Sequence, residues 1–105
     1  MFQGYPQVVA ARTGQPAFGA LPGAELVSRG TADLERGVES VESLLVSIGA
    51  PRLKRLGFRV DSPMPSPEHR LFELLRAEDP DAAHSRYNSL IRRLVSFERA
   101  AECAS

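Results

Sequence analysis

Apolar positions recur at helical spacing from Ala24 onward and show no regular spacing before it. Val41, Leu44, Leu45 and Ile48 fall at i, i+3, i+4 and i+7 behind a candidate N-cap at Ser40, so one buried helix face is predicted over 40–49. The longest run comes last. Ala83, Tyr87, Leu90, Leu94, Phe97 and Ala101 follow one another at intervals of three or four, with Ile91 beside Leu90. This predicts a helix over 81–103, capped by Asp81 and roughly 35 Å long at about 1.5 Å per residue.

Three further helices are predicted. Leu26, Val27, Gly30 and Leu34 form a thin stripe over 24–36, with Gly37 placed to end it. Pro51 and Gly57 bracket a short helix over 51–56. Ser66, Pro67 and Glu68 supply a cap, an N1 proline and a first-turn acid for a helix over 67–78 that carries Leu71, Phe72, Leu74 and Leu75. Between the last two, Pro63, Pro65 and Pro67 impose an extended connection on residues 58–66.

Residues 1–23 read differently. They hold four of the eight glycines and three of the eight prolines, which rules out any long regular element. They are expected to form an irregular arm, yet Phe2, Tyr5, Val8, Val9, Phe18 and Leu21 give it more apolar character than a solvated tail usually has. With no strand pattern and no repeat, the expectation is an all-α fold. It is a small bundle of four to five helices over 24–105, preceded by the arm.

Length and composition narrow the class. A chain of 105 residues makes one small domain. A single cysteine excludes an intrachain disulfide framework, and no stretch approaches the roughly 20 apolar residues of a membrane span. The first residues lack the basic and apolar regions of a signal peptide, so a cytosolic, bacterial chain without membrane contact is expected. Thirteen basic residues balance thirteen acidic ones, which argues against a dedicated polyanion binder.

That balance conceals alternation. Segment 24–50 carries a net −3 and segment 60–81 a net −4, while 51–59 holds Arg52, Lys54, Arg55 and Arg59 with no acid. This basic cluster is a candidate contact for an anion or nucleic acid, although neighbouring acidic segments can equally pair with it. Twelve of the thirteen basic residues are arginine, an outcome that a GC-rich genome produces as readily as selection for carboxylate or phosphate partners.

Candidates for catalysis are few. Cys103 and His84 lie nineteen residues apart on the predicted last helix, about 28 Å along its axis, so they cannot form a nucleophile–base pair within one chain. Asp79, Asp81 and His84 cluster in sequence, but a metal would need a further ligand such as His69, and turn and cap roles account for both aspartates. No phosphate-binding glycine loop or nucleophile elbow is present. Neither an enzyme nor a bound cofactor is expected.

Two functional classes remain. The helical region of about eighty residues makes a marginal core, and the last helix has more apolar length than two short helices can cover. The leading expectation is therefore a small protein–protein interaction module, such as an adaptor, an antitoxin-like partner or an assembly factor. It would be a homodimer through Tyr87, Leu90, Ile91, Leu94 and Phe97. The alternative is a DNA- or RNA-contacting regulator that uses a helix-turn-helix-like segment over 41–58. In that segment Leu45 and Gly49 have suitable spacing, but the second helix is under two turns and Arg55 stands where an apolar residue would anchor it.

Overall fold

The computed structural model describes residues 18–104, so most of the arm expected over 1–23 lies outside the described residues. A short 3₁₀ turn, Phe18–Ala20, leads into five α-helices: α1 Ala24–Glu35, α2 Val41–Ile48, α3 Ala50–Arg55, α4 Pro67–Glu78 and α5 Ala83–Ala104. The described residues contain helices and turns and no strand, as an all-α bundle requires.

Helix α2 is the centre of the bundle, packed by α1 on one side and α4 on another, with α5 lying mainly against α4 and touching α2 and α1 less extensively. Its i, i+3, i+4, i+7 pattern anticipates one buried face, but burial runs nearly all round. Ser43, Leu44, Leu45, Val46 and Ser47 are all buried, whereas Val41 and Ile48 at its ends are only partly covered. Two buried serines are tolerated because both are hydrogen-bonded. Ser43 Oγ accepts from the Ser40 backbone N–H at 2.7 Å while the Ser40 hydroxyl accepts from Ser43 N–H at 3.0 Å, which closes a capping box. The Ser47 hydroxyl donates to the Ser43 carbonyl at 2.8 Å.

The α1–α2 crossing depends on one glycine. At Gly30 a Cβ would overlap the Glu42 carbonyl oxygen and a Val46 methyl, so the two backbones approach only because that atom is missing. At the end of α1, Gly37 adopts φ 70°, and the buried Asp33 ties the turn to α2. The Asp33 carboxylate accepts from the Ser40 hydroxyl at 2.7 Å and from Arg36, and its backbone carbonyl accepts from Val38 N–H at 2.8 Å. These donors, the Ser40 hydroxyl first, hold the Asp33 carboxyl below its usual range.

Two expected caps take other forms. Ser66 does precede α4, but it sits in the left-handed region at φ 46°, and its side chain makes no capping bond. Pro67 at N1 disfavours the right-handed helical region for the residue before it. Asp81 does not cap the last helix, which begins two residues later than the spacing suggests, at Ala83. The Asp79 carboxylate instead accepts from Asp81 N–H at 3.1 Å, forming a side-chain turn, and the Ala82 carbonyl accepts the first helical bond, from Arg86 N–H.

Candidate interaction surface

The basic cluster is divided by its surroundings. Helix α3 is held to the core by Leu53, fully buried, which turns Arg52 toward α5. There Arg52 Nη2 donates to Glu102 Oε1 at 2.8 Å, and its Nη1 stands 3.8 Å from Glu98 Oε1. Arg59 Nε donates to Asp61 Oδ2 at 3.0 Å. Lys54 and Arg55 remain exposed on α3. The cluster thus pairs in part with acids, but the partners of Arg52 lie on α5 rather than in the acidic 24–50 or 60–81 segments. Other long-range pairs join Arg70 to Glu39 at 2.7 Å, Arg93 to Glu25 at 3.0 Å and, more loosely, Arg29 to Glu42 at 3.8 Å.

Helix α5 is divided as well. Leu94 and Phe97, two of the five residues expected at an oligomer interface, are 4% and 1% exposed and face the chain's own core. They are therefore largely withdrawn from the surface, Leu94 against Gly49 at the α2–α3 corner and Phe97 against Gly23 and the Phe58 ring. Tyr87, Leu90 and Ile91 are only partly covered. Tyr87 lies edge-on to Phe72 of α4 with ring centroids 6.1 Å apart, and the same Phe72 ring stacks at a tilt on His84 at 4.8 Å.

Two concavities flank α5. One, of about 380 Å³, lies between α1 and the connection after α3, with Val27, Phe58 and Phe97 below and Thr31, Glu35 and Arg59 at its rim. The other, of about 260 Å³, runs between the α2–α3 corner and α5. Its walls are Ile48, Pro51, Ile91 and Val95, and Arg52, Arg55 and Glu98 bring charge to an otherwise apolar groove.

Glu98 was not foreseen by periodicity, since a glutamate within an apolar seam reads as a solvated neighbour. It is 5% exposed. Its carboxylate reaches the corner between α2 and α3, where a Cβ on Gly49 would stand 2.8 Å from Oε2. Burial pushes this carboxyl above its usual range, and Arg52 and then Arg55 oppose that rise. The spacing of Gly49 and Glu98 in sequence carries no sign of this contact.

The residues considered for chemistry lie apart. His84 and Cys103 are both exposed on α5, nineteen residues from one another. His69 Nε2 stands 3.2 Å from Glu73 of its own helix. Among the described residues no three His, Cys, Asp or Glu side chains converge in a way that could hold a metal ion, and no helix is long and apolar enough to cross a membrane. No family model, curated protein or solved structure matches this chain.

Proposed function

We propose that this protein is a non-catalytic interaction module that acts as a pair of identical chains joined across the groove between α3 and α5. The observation that carries this reading is the groove itself. Its apolar walls, Ile48, Pro51, Ile91 and Val95, adjoin both basic and acidic groups, Arg52 and Arg55 beside Glu98 and Glu102. A two-fold interface brings one patch against its own copy, so it must be self-complementary. A patch of mixed sign meets that condition, whereas an all-basic or all-acidic one would repel itself. The chain's zero net charge adds no long-range repulsion between copies.

Sedimentation at micromolar concentration tests this reading. The expected mass is twice 11.5 kDa, and Val95→Arg, which introduces a charge at a partly exposed groove position, should give a folded monomer. A wild-type chain that stays monomeric throughout the micromolar range would overturn it.

A nucleic-acid contact is the weaker reading, because Arg52 and Arg59 already engage carboxylates, and Lys54 and Arg55 are the exposed cations of the cluster that make no ion pair among the described residues. Two cations per chain, doubled in a pair, would give log affinity against log salt a slope near −4, at about 0.9 per neutralised phosphate. Duplex DNA or RNA binding with that slope, lost in Lys54→Glu/Arg55→Glu, would move this reading ahead.

A further inference from the structure

The α3–α5 groove places an acid where a second copy would seal it from water. We propose that self-association is proton-linked, with Glu98 as the group that takes up the proton when two chains pair. This rests on the reading that the groove is the pairing surface, and it concerns the control of that surface.

The geometry is specific. Glu98 lines the groove from α5 and is almost wholly covered within one chain. Its Oε1 has Arg52 Nη1 at 3.8 Å, beyond hydrogen-bond reach, and Oε2 lies against the Gly49 backbone. Arg52 directs its one short bond, 2.8 Å, to Glu102 a turn further along α5. The titratable groups that face Glu98 are therefore Arg52 and Arg55 from α3, with Glu102 sharing Arg52 from its own helix. The α2–α3 corner contributes only Ile48, Gly49 and Pro51, none of which titrates.

A carboxylate that is nearly dry and lacks a short hydrogen bond is most readily buried further as the neutral acid. Burial already outweighs the two arginines in the single chain. Covering the groove removes its remaining contact with water and strengthens the dominant effect. A pair therefore binds more protons than two separate chains. Association then tightens as pH falls through the range in which Glu98 titrates, by up to about tenfold per pH unit for each proton taken up.

The test is the dissociation constant of the full chain by sedimentation equilibrium from pH 8 to pH 5 at constant ionic strength, with circular dichroism confirming helix content at each pH. Wild type should associate more tightly toward pH 5, by at least several-fold. Glu98→Gln should hold tight association across the range. Arg55→Gln, which removes one opposing cation, should move the wild-type transition to higher pH, and it serves as the second variant if Glu98→Gln fails to fold. A wild-type pair whose affinity does not change with pH would overturn the proton linkage while leaving the pairing intact. A Glu98→Gln profile that matches wild type, or an Arg55→Gln transition that stays in place, would do the same. A wild-type chain monomeric at every pH would overturn both.

Discussion

The Ser47 hydroxyl, buried inside α2, accepts the backbone N–H of Met64 at 2.9 Å. Seventeen residues separate them, and this bond fastens the proline-rich connection to the centre of the bundle. Pro63 and Pro65 have no N–H, so Met64 supplies the donor in that stretch. Ser47→Ala should cost about 1 kcal/mol, the usual net value of one intramolecular hydrogen bond. It should also increase protease cleavage within 61–66, where Ser62 and Ser66 already hold positive φ. Urea unfolding and limited proteolysis check both effects, and unchanged cleavage would mean the connection is held elsewhere.

Gly30→Ala gives a test of opposite intuition. In an isolated helix alanine is better than glycine by about 1 kcal/mol. Here the added methyl meets the Glu42 carbonyl and Val46, so the α1–α2 crossing must open. Overpacking of this kind typically costs about 1–3 kcal/mol. A lower urea midpoint than wild type is expected, and a higher one would show that the two helices do not approach as closely as described.

Leu94 stands 4% exposed where α5 meets the core. Leu94→Ala should lower stability by about 2–5 kcal/mol through lost transfer energy and the cavity left behind. Much of a small domain's total stability would go with it. Chemical denaturation monitored by circular dichroism gives the value, and a loss below about 0.5 kcal/mol, typical of surface sites, would contradict the burial.

Acid should act on this fold in two opposing ways. Asp33 and Glu39 are held below their ordinary values of 3.8 and 4.5, by the Ser40 hydroxyl and by Arg70 respectively. Their contribution is present above those ordinary values and is lost as pH falls through the lowered ones. Glu98 is raised above 4.5, mainly by burial. Its contribution is present below 4.5 and is lost as pH rises through the raised value. The urea midpoint should therefore rise as pH is lowered from neutral toward the Glu98 transition, and fall again once Asp33 and Glu39 take up protons. Glu98→Gln should remove the rise alone. Asp33→Asn should lower the midpoint at neutral pH and make the acid fall shallower.

The amino-acid sequence by itself determined the helices and most of their ends. Apolar spacing of three and four, Ser40 as a cap, Gly37 and Gly57 after helices and Pro67 before one all act through local backbone and side-chain chemistry. Where a local signal had a local rival, the reading shifted by a residue or two, as at Asp81, whose N–H is taken by the Asp79 side chain. Only the tertiary structure decided which helix lies at the centre, because α2 shows one apolar face in sequence and is buried nearly all round over Ser43–Ser47 when α1 and α4 close on it. The same holds for the candidate site. Tyr87, Leu90, Ile91, Leu94 and Phe97 form one seam in sequence, and packing against Gly49, Gly23 and Phe58 takes Leu94 and Phe97 almost wholly out of the surface. Arg52, Lys54, Arg55 and Arg59 are one cluster in sequence, and the turn of α3 toward α5 sends Arg52 to Glu98 and Glu102, sets Arg55 along the groove and leaves Lys54 exposed. Local spacing fixes which side chains share a helix face. Which of those faces meets another helix, and which acid becomes buried there, depends on contacts between residues as far apart as Gly49 and Glu98, to which no local periodicity responds.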